Sequence, residues 1–210
     1  MSKSKFSLFA AFSLLVLLLS ACATTQVTGV WKDPSYQAHP EKIMVIGMAK
    51  NPLNRRLFED EFVLQLEAKG SKAIASYTVL TDKQQEDQAA IAEKVVESGA
   101  DTVLITRLVS KKTVQVYMPG SMYFPPAFYD TWPDYYGYGY RHIYSSPGYL
   151  SEDEYAVIET NLYKADDDKL IWAASSETGL LESDHDLIKP YVSVMVKTMV
   201  ENGLLKGTSK

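Results

Sequence analysis

The chain contains one cysteine, Cys22, which stands just beyond a long apolar run near the start of the sequence. A single thiol allows neither an intramolecular disulfide nor a thiol-rich zinc site, so any fold must rest on a packed apolar core. With 210 residues, 46% apolar and 22% charged, the chain can build such a core and is not wholly disordered. The run itself, Phe6 to Leu19, is interrupted only by serine and follows the cations Lys3 and Lys5. It is shorter than the ~20 residues a helix needs to cross the hydrocarbon core, which favours a signal peptide over a transmembrane anchor.

The tetrapeptide Leu19-Ser20-Ala21-Cys22 resembles a bacterial lipobox: an aliphatic residue, two small residues, then a cysteine that receives a diacylglyceryl thioether. The resemblance implies cleavage after Ala21 and a mature N-terminus at Cys22, bearing diacylglycerol and an N-acyl chain, with no other cofactor. Several acyl chains, at ~0.8 kcal/mol per buried methylene, hold a protein on a bilayer stably. By resemblance to the sorting rule of enteric bacteria, Ala23 is not the aspartate that retains lipoproteins in the inner membrane. The expected address is therefore the periplasmic face of the outer membrane. Cleavage removes Lys3 and Lys5 and no acid, so the net charge of −5 becomes −7. That balance, with a pI near 5.3, argues against a nucleic-acid partner. The expected division is a signal peptide at 1–21, a lipidated terminus and linker at 22–30, and an α/β domain at 31–210.

Within that domain, Lys42 to Met48 is a continuous apolar run suited to a strand covered on both faces. Asn51-Pro52 supplies a cap and a first helical residue for a helix over Leu53 to Lys69, with Phe58, Phe62 and Leu66 on one stripe and Gly70 as its stop. Lys72 to Tyr77 reads as a short strand. Thr81 to Ser98 reads as a helix capped by Thr81 or Asp82, and Asp101 to Met118 as a long strand leaving the core. Tyr155 to Tyr163 and Leu170 to Glu177 form a hairpin with Ala156, Ile158, Thr160 and Leu162 on one face. A last helix, Leu187 to Asn202, places Ile188, Val192, Met195 and Met199 on one stripe, with Pro190 in its first turn. The order β-α-β-α-β-β-β-α predicts a single two-layer or three-layer-like α/β domain, with a mixed sheet of about five strands and about three helices.

The stretches Trp31 to Pro34, Lys42 to Val63, Gly70 to Tyr77 and Ser98 to Leu108, with Lys169 to Trp172, resemble a family of uncharacterised bacterial lipoproteins. In fold that family is similar to the curli-secretion lipoprotein, the lipoprotein activators of penicillin-binding proteins and the N-terminal domain of TolB. The resemblance implies a cell-envelope assembly or partner-binding module, with no catalytic residues to transfer.

Residues 117–150 are set apart by composition: 12 aromatics, five prolines and four glycines, with Arg141 the lone lysine or arginine. The prolines exclude a helix, and a loop of this length is usually functional or disordered. Three readings stand: a low-complexity excursion, a protein-protein surface, or a surface for glycan or bilayer headgroups. Tyr123, Phe128, Trp132, Tyr135, Tyr136, Tyr138 and Tyr140 are its candidate contact residues. The prolines depart from the alternating apolar strands of the pore-forming hairpin that the curli-secretion resemblance suggests.

Elsewhere the chemistry is sparse. His39, His142 and His185 share no metal spacing. Ser183 to Asp186 reads as a helix cap, Asp166 to Asp168 as a solvated turn, and Gly47 to Pro52 lacks the glycines of a phosphate loop. Arg55, Arg56, Glu59, Asp60 and Glu61 cluster on the first helix, where local ion pairs explain them. Arg55 and Arg56 are the residues to expect on a docking face. The expected protein is a non-enzymatic, lipid-anchored envelope module that binds a bilayer through its lipid and a protein partner or itself. The rival is a glycan-binding or glycan-modifying enzyme with the aromatic loop as substrate platform.

Overall fold

The computed structural model describes residues 25–118, 149–180 and 184–207, without the side chains of 184 and 185. Its elements are β1 (Thr25–Lys32), β2 (Lys42–Met48), α1 (Pro52–Glu67), β3 (Lys72–Ala75), α2 (Gln88–Ser98), β4 (Thr102–Met118), β5 (Tyr149–Lys164), β6 (Leu170–Gly179) and α3 (Asp184–Glu201). Six strands form one mixed sheet in the order β1-β6-β5-β4-β2-β3. The α/β class holds, with one strand more than the sequence suggested.

β2 is parallel to β3 on one side and to β4 on the other, and the other pairs are antiparallel. The chain leaves β2 through α1 in one direction and returns past it through α2, which sets these helices on opposite faces. One core, including Ile43, Val45, Phe62, Leu104, Val192 and Met195, lies under α1 and α3. The other, including Met44, Ile46, Val95 and Val103, lies under α2. β2 is thus covered on both faces, as its unbroken apolar run requires. Ala156, Thr160 and Leu162 are buried on the expected face of β5, and Ile158 is partly so.

The helix signals were partly legible. Asn51 Oδ1 accepts from the Leu53 N–H at 2.9 Å and Pro52 opens α1, as read. The second helix starts later than expected: Asp87, not Thr81 or Asp82, caps α2, accepting from the N–H groups of Ala89 and Ala90. Thr81 instead donates to Gln84 Oε1 at 2.9 Å and Asp82 is drawn to Arg55 at 3.3 Å, so residues 84–86 make only a 3₁₀ turn. Gly99 ends α2 at φ +65°, in the left-handed region that favours glycine. The final helix begins at Asp184, which places Pro190 inside it rather than in its first turn. The stripe of Val192, Met195 and Met199 is fully buried, and that packing holds α3 together around the proline.

Two boundaries move. Residues 25–30, expected as linker, belong to β1, which pairs with β6 from Thr25↔Thr178 to Lys32↔Trp172. As an edge strand, mostly exposed, it carries a polar composition that reads like a tether. The insertion is also shorter than 117–150, because Tyr117↔Leu150 and Met118↔Tyr149 are paired strand residues. β4 and β5 outrun their neighbours: the last pairing with β2 is Met48↔Arg107 and the last with β6 is Gly179↔Tyr155. Beyond these they form a two-stranded arm, re-aimed by a bulge between Leu108 and Ser110.

Candidate functional site

The carboxyl end of β2 lies beside Arg107 of β4 where the strand order reverses, the place where open α/β sheets leave a crevice. Here the crevice is a cleft of about 230 Å³. Gly47, Met48, Thr106 and Leu108 line it from the strands, Asn54 and Phe58 from α1, and Leu187, Ile188 and Tyr191 from α3. Its rim is apolar and open: Met48 is 61% exposed and Leu108 50%. Lys111 adds positive charge, while the Arg107 guanidinium is paired with Glu159 at 2.9 Å. Below, the Tyr191 hydroxyl lies 2.6 Å from Thr160 Oγ1, which lies 2.9 Å from Thr106 Oγ1. Burial pushes the Tyr191 hydroxyl up, so the phenol keeps its proton beyond the usual tyrosine range. The described lining carries apolar groups, three hydroxyls on Thr106, Thr178 and Tyr191, one amide and two cations, and no carboxylate or imidazole. That chemistry suits an apolar anchor flanked by negative charge.

A second polar assembly closes the wall between α1 and β2. Glu59 is fully buried and its Oε1 accepts from Arg55 Nε at 2.9 Å, Ser76 Oγ at 2.8 Å and the Gly47 N–H at 2.9 Å. Its Oε2 accepts from the Tyr77 N–H at 2.9 Å. Arg55, 1% exposed, also donates to Ser76 Oγ at 2.9 Å and to Asp82 Oδ1 at 3.3 Å. The expectation that Arg55 presents a docking face is therefore corrected: it is an interior brace joining α1, β2 and the turn after β3. Arg56 is exposed, 5.7 Å over the Tyr77 ring, whose hydroxyl donates to Asp60 at 2.7 Å. Gly47 completes the brace, since a Cβ there would sit 3.2 Å from Phe58 Cδ1.

Other residues singled out in the sequence scatter. Cys22, with Leu19, Ser20 and Ala21, lies outside the described residues, as do Tyr123, Phe128, Trp132, Tyr135, Tyr136, Tyr138 and Tyr140. His142 and Ser183 are outside them too. His39 Nδ1 is 3.2 Å from the Leu204 carbonyl. Asp166 to Asp168 form part of the β5–β6 turn, with Lys164 bridging Asp166 at 2.9 Å. Among the described residues no three His, Cys, Asp or Glu side chains gather as metal ligands, and no helix is long and apolar enough to cross a membrane. The cleft had no sequence signal beyond Gly47, because its walls meet only when β4, α1 and α3 converge.

No protein-family model matches the chain, and no curated protein does. Solved structures with a similar course include PelC from Paraburkholderia phytofirmans, crystallised as a dodecamer. It has TM-score 0.46 and 11% identity, over 88% of this chain and 99% of that one. The lipoprotein GNA1162 from Neisseria meningitidis has TM-score 0.41 and 15% identity, over 77% and 99%. A putative neuraminyllactose-binding hemagglutinin homolog from Helicobacter pylori has TM-score 0.36 and 12% identity, over 83% and 94%. These three do not show the narrower similarity to the curli-secretion lipoprotein, the penicillin-binding-protein activators or TolB. At TM-scores below 0.5 the likeness carries no functional argument.

Proposed function

We propose that this chain is a lipid-anchored cell-envelope protein whose α/β domain is a non-enzymatic module that binds or assembles with a protein partner. The observation that carries the reading is the open apolar cleft at the reversal point of the sheet, rimmed by Met48 and Leu108 and flanked by Arg107 and Lys111. Large exposed apolar side chains around a concave site are the usual start of a protein interface. The lipobox-like Leu19 to Cys22 supplies the anchor, and Ala23 directs the protein to the periplasmic face of the outer membrane.

A photo-crosslinking residue at position 48, introduced into the anchored protein in its own envelope, tests the binding reading. A discrete adduct is expected, weakened at least tenfold by Leu108→Asp and unaffected by Lys72→Asp on the far end of the sheet. The absence of a discrete adduct, or one indifferent to Leu108→Asp, would contradict a partner at the cleft. Ala23→Asp is expected to move the protein to the inner-membrane fraction of a density gradient.

A further inference from the structure

The two-stranded arm leaves the sheet at the same end as the N-terminus. Thr25 pairs with Thr178, Thr178 with Ala156, and Ala156 with Lys111, so these four residues share one level of the sheet. From that level β4 continues to Met118 and β5 comes back from Tyr149. Seven steps at ~3.3 Å put Met118, the outermost described residue of β4, ~23 Å beyond Thr25. Cys22 is three residues ahead of Thr25, and three extended residues reach only ~10 Å. An arm upright on a bilayer holding Cys22 would therefore overshoot the surface by ~13 Å, and it avoids penetrating only by tilting beyond about 65° from the normal. Upright, or tilted by less than that angle, the arm reaches the lipid.

The composition along the arm is graded the same way. Counting back from the tip, the pairs Met118–Tyr149, Tyr117–Leu150 and Val116–Ser151 carry no charge. The next pairs introduce Glu152, Asp153 and Glu154, and Lys112 and Lys111 stand at the base. Tyr117 is 64% exposed and Leu150 63%. Three uncharged pairs span ~7 Å, within the ~5–10 Å to which interfacial segments bury apolar groups, and tyrosine suits that boundary. A two-stranded ribbon is marginal in water without a further surface to pack on.

We propose that the arm is a membrane-contacting element, its outermost described residues Tyr117, Met118, Tyr149 and Leu150 seated in the lipid interface beside the anchor. This rests on Cys22 being the anchored residue. The test uses the full lipidated chain in phosphatidylethanolamine–phosphatidylglycerol vesicles, with Tyr117→Cys, Leu150→Cys or, at the opposite end of the sheet, Lys169→Cys, each labelled with an environment-sensitive fluorophore. The Cys22 sulfur, being a thioether, takes no label. At 117 and 150 the emission is expected to shift to the blue and to be quenched by brominated acyl chains several-fold more than at 169. Equal quenching at all three positions, in protein that floats with the vesicles and carries lipid by mass, overturns the arm proposal and leaves the anchor standing. Shielding from aqueous iodide without quenching by the brominated chains also overturns it, because a second copy or another protein then covers the tip. An unlipidated chain that does not float overturns the anchor and this inference together.

Discussion

Glu59 takes four hydrogen bonds within the fold, three on one oxygen, and Arg55 shares one of its partners, Ser76. A buried charge so fully partnered is costly to strip of its counter-ion: removing one member of such a pair costs ~3–5 kcal/mol. Glu59→Ala is expected to lower the unfolding free energy by about that much in urea titrations, whereas Arg56→Ala costs under ~1 kcal/mol. Tyr191 gives a pH signature. Burial raises its folded pKa, while the unfolded chain ionises tyrosine near pH ~10. The unfolded state sheds its proton first, so this contribution is complete below that pH and is lost as pH rises above it. Alkaline melting curves are expected to fall less steeply for Tyr191→Phe than for the parent chain, and identical slopes would contradict the assignment. Arg55 and Glu59 were legible as an i,i+4 pair but not as an interior one. Their register with Phe62 and Leu66, all four buried on α1, is the signal that separates a brace from a solvated face. Charge at those positions masks it, because burial depends on Ser76 and Gly47, distant in sequence.

Elements whose ends carry local chemistry were read well, and those defined by neighbours were not. Asn51-Pro52 before α1 and Gly99 after α2 act within one turn, so their signals are complete in a few residues. β1 has no such signal: its strand character comes from pairing with β6, some 150 residues away, and its outward side chains look like a tether. The same holds for the start of β5, hidden in the tyrosine-rich composition until paired with β4. Asp87→Ala is expected to cost ~1 kcal/mol through loss of the α2 cap, with Thr81→Ala nearly neutral, as read by thermal unfolding. Among the described residues the arm has no strand neighbour on either edge, so in the detergent-free, lipid-free Cys22→Ser protein its amides over 113–118 are expected to exchange far faster than those over 102–107 of the same strand. Equal protection along β4 would mean that the arm is packed against something in the protein itself.

At the scale of the whole molecule, the sheet has a polarity that joins its parts. The start of β1, the cleft and the root of the arm lie at one end, and the β5–β6 turn lies at the other. An anchor three residues ahead of β1 would hold the cleft close to the membrane, within reach of a partner confined to the same surface. The whole account depends on what Cys22 carries. The direct measurement is mass spectrometry of the N-terminal peptide of the protein purified from its envelope. The predicted result is a peptide that begins at Cys22 with a thioether-linked diacylglycerol and an N-acyl chain, and its absence after Cys22→Ser. A mature peptide with a free Cys22 thiol, or one beginning elsewhere, would contradict the account.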